Sequence, residues 1–326
     1  MDREISFSEA IREALRLEMR RDEKVFIFGE DVGPLGGAFG VTKGLWEEFG
    51  DKRVKDTPIS EAAIIGVALG AASTGMRPVA EIMYADFLTI TMDQLVNQMA
   101  KMRYMFGGKA NVPAVVRAAY GAGMSAAAHH SQSLESFFCH VPGLKVVVPS
   151  TPYDAKGLLI SSIRDDNPVM FFEHKLLYAR KGPVPEEYYQ VPLGKADIKK
   201  EGRDITIITW GKTVHAAMSV AQKLTGRNID IEVIDLRTLF PLDKECFLES
   251  VKKTGRVIVV HEACMRGGFG GEIVSIIAKE AFDYLDAPIE RVAALNVPIP
   301  FSPVLEKFVL PDENDIEGAV LKLVEK

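Results

Sequence analysis

Glu61 is the residue of this sequence whose setting best suits proton chemistry. It closes the stretch Asp-Thr-Pro-Ile-Ser-Glu at 56–61, and no further charge appears until Arg77. The uncharged run between them predicts an apolar helix that Ser60 caps and that is buried in protein. A carboxylate at the mouth of such a helix is costly unless it has a partner or is protonated. We therefore expect Glu61 to act in proton transfer; the simpler alternative is an acid favoured by the helix dipole.

A pair of histidines, His129 and His130, forms the second candidate site. The pair follows a glycine-containing stretch at 120–123, just after a predicted strand. Ligands of open α/β sheets bind at the carboxyl ends of strands, where a histidine can move protons near neutral pH. A metal pair is disfavoured because no carboxylates stand at ligand spacing. Ser131 lacks the Gly-x-Ser-x-Gly elbow of a hydrolase nucleophile.

Two further stretches could contribute to a site. Residues 81–87 read Glu-Ile-Met-Tyr-Ala-Asp-Phe at a predicted strand end, where Met83 and Phe87 suit either a core or a cofactor wall. Residues 267–271 read Gly-Gly-Phe-Gly-Gly before a predicted helix. A glycine loop there can hold phosphate, but this one matches no nucleotide fingerprint, so we interpret it as a tight turn.

The elements that position these residues alternate between strands and helices. The length of 326 residues favours two domains. Strand patterns occur at 25–28, 78–83, 114–118, 145–148, 169–173, 205–209, 231–234 and 257–260. Helices are predicted from a capping box at 6–9, over 91–105 and 154–164, near Val214 and after Gly271. The alternation predicts an α/β protein with two mostly parallel sheets, and 181–192 is typical of a linker.

Composition excludes several classes of protein. The net charge of -6 provides no basic surface for nucleic acid. The stretch 61–76, which is uncharged after Glu61, is too short to span a bilayer comfortably, so no membrane partner is expected. The three cysteines have no metal-ligand spacing and fit a reducing compartment. The charged N-terminus resembles neither a signal nor a transit peptide, and we expect a cytoplasmic protein.

Taken in order, the motifs closely resemble the β subunits of thiamine-diphosphate-dependent 2-oxo acid dehydrogenases, over essentially the whole chain. The motifs that carry the resemblance are Gly-Glu-Asp-Val at 29–32, Thr-Pro-Ile-Ser-Glu at 57–61, Gly-Met-Arg-Pro at 75–78, Met-Asp-Gln at 92–94, His-Ser-Gln at 130–132, Pro-Gly-Leu-Lys-Val-Val at 142–147 and Pro-Ser-Thr-Pro at 149–152. The resemblance implies a pyrimidine-binding domain at 1–186 and a transketolase-type C-terminal domain at 187–326.

The resemblance also implies a role for each candidate residue. Glu61 would bond the pyrimidine N1′ of thiamine and drive the tautomerisation that activates the cofactor. His130 would assist acyl transfer to a lipoyl group, and Glu30 would relay protons between paired active sites. Met83 and Phe87 would line the aminopyrimidine pocket, with Phe87 stacked on the ring.

Asp165 and Asn167 resemble a structural potassium-binding loop of the same family. The sequence there is Arg-Asp-Asp-Asn-Pro at 164–168. A plain turn is an equally good interpretation of these residues.

The sequence lacks one motif of diphosphate-binding thiamine enzymes. Such enzymes carry Gly-Asp-Gly followed by an Asn, which hold Mg²⁺, and this chain contains no Gly-Asp-Gly. The resemblance therefore implies an α subunit that binds Mg²⁺ and the diphosphate, an α2β2 heterotetramer, and a chain that is inactive alone.

The expected reaction is decarboxylation of a 2-oxo acid, with pyruvate as substrate, and transfer of the acyl group to the lipoyl group of an acyltransferase. Acetoin and branched-chain 2-oxo acids are alternative substrates; a branched-chain enzyme often has Gln and Tyr in place of Met83 and Phe87. A complete transketolase-like synthase is disfavoured by the missing diphosphate motif. A non-catalytic scaffold for the acyltransferase is disfavoured by Glu61 and His130.

Overall fold

The computed structural model describes residues 3–324, which form two compact units. The first unit contains the described residues up to Tyr120 together with Phe137–Leu193. The second contains Gly121–Ser136 and the described residues from Gly194 onward. The loop that carries His130 thus belongs to the second unit, although first-unit sequence flanks it on both sides. The domain boundary between 186 and 187 stays a prediction.

The first unit is built on a parallel sheet. Its strands are β1 (Arg3–Ser6), β2 (Val25–Gly29), β3 (Val54–Asp56), β4 (Arg77–Ile82), β5 (Val115–Tyr120), β6 (Lys145–Val147), β7 (Val169–His174) and β8 (Lys181–Val184). Six of them are parallel in the order β6-β7-β5-β4-β2-β3, while β1 and β8 pair antiparallel. These strands are nearly continuous apolar runs because helices cover both faces of a parallel sheet.

Helices connect the strands of the first unit. They are α1 (Phe7–Arg21), α2 (Leu45–Phe49), α3 (Glu61–Ser73), α4 (Ala100–Met105), α5 (Glu135–Cys139) and α6 (Pro152–Arg164). The predicted capping box is confirmed, since the Ser6 side chain accepts from the Glu9 N–H and the Glu9 side chain accepts from the Ser6 N–H. From α1, Phe7, Ile11 and Leu15 are fully buried in the core beneath the sheet.

Three local predictions differ from the structure. The segment predicted as one helix over 91–105 is a 3-10 helix at Ala85–Thr91, a π-helix at Asp93–Met99 and then α4. The predicted linker 181–192 begins with strand β8, because its backbone pairs with β1. Ser60 precedes α3 as predicted, but its side chain makes no cap hydrogen bond with the residues that the structure describes. Its φ of -163° and ψ of 79° differ from the usual values of an N-cap residue.

The second unit contains a smaller sheet. The strands of this unit are β9 (Asp197–Lys200), β10 (Ile205–Thr209), β11 (Ile231–Asp235), β12 (Thr238–Phe240), β13 (Val257–Cys264) and β14 (Glu290–Ala294). The five-stranded sheet has the order β14-β13-β10-β11-β9, and only its edge strand β9 is antiparallel. Its helices are α7 (Thr213–Thr225), α8 (Lys244–Thr254), α9 (Gly270–Glu280), α10 (Pro303–Val309) and α11 (Glu313–Val324). The predicted α/β class is confirmed for both units.

None of the helices within 3–324 is both long enough and apolar enough to cross a bilayer.

Candidate active site

The two candidate acids of the first unit follow the carboxyl ends of the neighbouring parallel strands β2 and β3. Gly29 of β2 is in register with Asp56 of β3 and with Glu81 of β4. Glu30 follows β2 directly, and Glu61 begins α3 after a short connection from β3. The strand order β3-β2-β4 therefore brings these residues to one edge of the sheet, which is where open α/β folds bind ligands.

Glu61 is buried, with 9% of its surface exposed, at the first position of α3. The unpaired N–H groups and the dipole of this helix favour a negative charge there. Only one face of α3 is buried within this chain, whereas Ala63, Val67 and Gly70 are exposed. The prediction that this helix is buried in protein is therefore met on one face within this chain, and burial of the other face stays a prediction.

Glu30 is half-buried beside Glu61. Burial raises the pKa of the Glu30 carboxyl above its ordinary value, and the negative charges of Glu61 and then Asp31 raise it further. A carboxyl with a raised pKa beside another acid is a candidate for proton exchange with it. The structure thus brings together two of the residues that the sequence singled out as acids.

Met83 and Phe87 lie just beyond the end of β4, and both side chains are partly exposed. The ring of Phe87 is perpendicular to that of Tyr84, with the ring centroids 5.8 Å apart. The apolar side chains therefore stand at the same edge of the sheet as Glu30 and Glu61, where a flat heterocycle could pack against them.

A buried ion network, which the sequence analysis missed, lies within the same sheet. The guanidinium of fully buried Arg117 donates to Glu81 Oε2 at 2.6 Å and to both carboxylate oxygens of Glu173 at 2.6 and 2.8 Å. The Tyr178 hydroxyl also donates to Glu173, at 2.8 Å. Burial raises the pKa of the Glu81 carboxyl. Burial lowers the pKa of the Arg117 guanidinium, but the negative charges of Glu173 and Glu81 outweigh this effect and raise that pKa overall. The sequence signal was a charged residue inside an otherwise apolar segment in each of the strands β4, β5 and β7.

The glycine-rich loop 33–40 lies against this network. Gly36 and Gly37 have φ values of +84° and +82°, which favour glycine. A Cβ on Gly37 would come within 3.4 Å of Glu81 Oε1. The loop thus covers one end of the ion network.

Asp165 and Asn167 form a turn. Asp165 Oδ1 accepts from the Asn167 backbone N–H at 2.8 Å and side-chain amide at 2.9 Å, and Oδ2 pairs with Lys145. Burial alone would raise the pKa of Asp165, but the bonds from Lys145 and Asn167 lower it overall. With both carboxylate oxygens engaged, the geometry favours the plain turn; the potassium site stays a prediction without support from these contacts.

The loop that carries His130 lies in the second unit, beside a cavity of about 530 Å³. His129, Ser131 and Glu262 line this cavity. Ser131 is buried, and its Oγ has no hydrogen-bond partner among the residues that the structure describes. A water molecule or a ligand could therefore bind to this hydroxyl.

Buried titratable side chains behind this loop were also missed. Glu135 accepts from Trp210 Nε1 at 3.2 Å, and burial raises the pKa of its carboxyl to about 7. Trp210 stacks on His261, with the ring centroids 5.3 Å apart, and burial lowers the pKa of His261 to about 4. Gly268 and Gly270 approach this imidazole so closely that a Cβ on either would lie 2.5 to 2.7 Å from it. This contact supports the prediction that 267–271 serve as a tight turn.

Two family models together match most of the chain. The model described as "Transketolase, pyrimidine binding domain" matches residues 3–181, and "Transketolase, C-terminal domain" matches residues 194–316. A solved structure, "Split gene transketolase, inactive beta4 tetramer", superposes with a TM-score of 0.81 at 22% identity and covers 98% of this chain and 99% of that chain. The structural likeness supports the fold.

Three curated relatives match over nearly their whole length. The acetoin:2,6-dichlorophenolindophenol oxidoreductase subunit beta of Bacillus subtilis is 52% identical, covering 99% of this chain and 98% of its own. The 2-oxoisovalerate dehydrogenase subunit beta of the same species is 48% identical, and the match covers 98% of this chain and 99% of the relative. The pyruvate dehydrogenase E1 component subunit beta of Rickettsia felis is 49% identical, covering 98% of each chain. The chain belongs to the family of β subunits of thiamine-diphosphate-dependent 2-oxo acid dehydrogenases.

Proposed function

We propose that this chain forms the pyrimidine half of a thiamine diphosphate site shared with an α subunit in an α2β2 enzyme. The enzyme converts a 2-oxo acid and passes the acyl group to the lipoyl group of an acyltransferase. The observation that carries the proposal is the placement of buried Glu61 beside Glu30, at the carboxyl edge of the β3-β2-β4 strands. A β subunit with these acids is suited to catalysis rather than to scaffolding alone.

The side chains at this edge fit an aminopyrimidine. The cofactor supplies an electron sink for cleavage of the bond next to the substrate carbonyl. The Glu61 carboxyl holds a proton at the pyrimidine N1′, where the low exposure of its surroundings strengthens the hydrogen bond. Met83 and Phe87 offer partly exposed apolar surface against which the flat ring packs.

Glu30 acts as the proton store next to Glu61. Because burial and the Glu61 charge raise its pKa, Glu30 is protonated over a wider pH range than an exposed glutamate. It can therefore return a proton to Glu61 after each turnover. His130 moves a proton during acyl transfer to the lipoyl sulfur, because histidine is the side chain that most often acts as a general acid or base.

An exposed apolar surface in the first unit supports the α subunit as partner. Val67 on α3 and Ile90 in the adjoining 3-10 helix are 55% and 57% exposed, and Ile59 precedes Glu61 with 82% exposed. Such side chains in the elements around a candidate site are typical of a protein interface. The sequence lacks Gly-Asp-Gly, so the α subunit supplies the residues that bind Mg²⁺ and the diphosphate.

Pyruvate is the proposed substrate, and acetoin is the second candidate. Cleavage of either compound beside its carbonyl provides the same two-carbon acyl group for transfer. Acetoin is favoured by two relatives named as acetoin:2,6-dichlorophenolindophenol oxidoreductase subunits, at 52% and 50% identity. Because Cys139, Cys246 and Cys264 form no disulfide within residues 3–324, we place the enzyme in the reducing cytoplasm.

Reconstitution tests this proposal. The chain is mixed with an α subunit that carries the Gly-Asp-Gly motif, thiamine diphosphate and Mg²⁺, and the reduction of 2,6-dichlorophenolindophenol is followed with pyruvate, acetoin or 3-methyl-2-oxobutanoate. We expect turnover of a two-carbon acyl donor only when both chains are present. Turnover by the β chain alone, or preference for 3-methyl-2-oxobutanoate, would contradict the proposal.

A further inference from the structure

The loop that carries His130 is anchored in the second unit. Its first residues pack there: Ala122 lies in a buried apolar cluster with Ala294, Val309 and Leu310. Contacts with C-terminal residues therefore hold the start of this loop in place.

The backbone of the loop has an unusual conformation between this anchor and His130. Gly121 and Gly123 have φ values of +91° and +101°, and the non-glycine residues Ser125 and Ala127 have +54° and +59°. L-residues rarely adopt this left-handed region because the Cβ atom then crowds the carbonyl oxygen. Such strain persists only where surrounding contacts hold the backbone, and it is concentrated at functional sites.

Two buried carboxylates provide those contacts. Glu306 at the fourth position of α10 is 4% exposed, and its Oε1 and Oε2 accept from the N–H groups of Gly123 at 2.8 Å and Ser125 at 2.9 Å. Glu262 in β13 accepts from the Ala122 N–H at 2.7 Å and from Lys212 Nζ at 3.1 Å. Hydrogen bonds to an ionised carboxylate are shorter and stronger than those between neutral groups.

We propose that Glu306 is a positioning residue for His130, an inference that rests on the proposed function. Its carboxylate fixes the strained backbone at 123–125, with Glu262 holding the preceding residue. The imidazole five residues further along is thereby held where it meets the lipoyl group. The C-terminal residues Glu262 and Glu306 thus contribute to catalysis, because they orient the loop whose His130 acts in acyl transfer. A misplacement of about 1 Å can slow a reaction about 100-fold.

Glu306→Gln tests the proposal in the reconstituted enzyme. A glutamine side chain has the same shape but only one acceptor oxygen, so its amide group faces one of the two N–H donors. Two rates are compared: reduction of the artificial acceptor, which needs no lipoyl group, and acylation of a lipoyl domain. We expect acylation to fall at least about tenfold more than reduction of the acceptor. Glu313→Gln, which changes an exposed carboxylate at the start of α11, is the matched control.

A double variant separates positioning from general destabilisation. In a His130→Ala background the imidazole is absent, so Glu306→Gln should cause little further loss of acylation. Equal losses in the two assays, or fully additive losses with His130→Ala, would overturn the proposal.

Hydrogen exchange provides a measurement that does not depend on activity. Amide exchange at 121–130 should become faster in Glu306→Gln and should not change in Glu313→Gln. If the wild-type enzyme turns over no substrate, the proposed function fails, while this exchange still tests the carboxylate contacts. Unchanged exchange at 121–130 would overturn the positioning role.

Discussion

At the scale of single residues, buried carboxylates are the main feature of this chain. The burial of Glu61 could be predicted from sequence because its apolar neighbours are adjacent along the chain. The network of Glu81, Arg117 and Glu173 could not, since its members lie on three strands and meet only when the sheet forms. The contacts of Glu306 were missed for the same reason, because its partners are about 180 residues earlier.

Buried Glu135 predicts a pH dependence of stability. Its carboxyl pKa lies near 7 in the folded protein and near 4.5 ordinarily. The folded chain therefore keeps a proton that the unfolded chain loses, so stability falls as pH rises from 4.5 to 7. Glu135→Gln should raise the free energy of unfolding at pH 8 by up to about 3 kcal/mol and have little effect near pH 5.

Denaturant unfolding of wild type, Glu135→Gln and the surface control Glu313→Gln at the two pH values measures this difference. An equal effect of Glu135→Gln at both pH values would show that Glu135 does not titrate as described.

At the scale of elements, periodicity predicted the parallel strands and the major helices. At 91–105 the predicted helix is present, but its turns change in type from 3-10 through π to α. A hydrophobic pattern cannot separate these turn types, and tertiary contacts decide among them. One such contact is visible at Gly143, which has a φ of +105° and packs against the carbonyl group of Ala100.

Gly143→Ala tests the importance of this contact. The added Cβ would collide with the Ala100 carbonyl oxygen and strain the backbone, so we expect a loss of about 2 kcal/mol or more in unfolding free energy. Gly50→Ala is the matched control, because Gly50 also has a positive φ of +74° but open space around it. Thermal unfolding should show a clearly larger loss for Gly143→Ala than for Gly50→Ala. Equal losses would mean that backbone strain alone, and not the contact, matters.

At the scale of the whole molecule, the alternation of strands and helices predicted two α/β domains, and the missing Gly-Asp-Gly predicted a second subunit. The assignment of Gly121–Ser136 to the second unit was not predictable. In sequence order this loop lies within the predicted pyrimidine-binding domain. Its assignment to the second unit depends on contacts with residues that are far away along the chain.

Val67→Asp tests the proposed interface with the α subunit. A charge placed on the exposed apolar face of α3 would be buried without a partner on association, which should weaken binding by about 100-fold or more. Ala278→Asp places the same charge on an exposed position of α9 in the second unit and serves as control. Titration of the β chain with the α subunit measures both affinities. Unchanged binding by Val67→Asp would exclude this face from the interface.

The most direct test of the account is the activity of Glu61→Gln in the reconstituted α2β2 enzyme. Glutamine preserves the shape of the side chain but cannot hold the proton at the pyrimidine nitrogen. We predict that acceptor reduction falls by about 100-fold or more, with unchanged thermal unfolding and subunit association. Glu47→Gln, at an exposed acid of the first unit, should retain full activity. Full activity of Glu61→Gln would contradict the account.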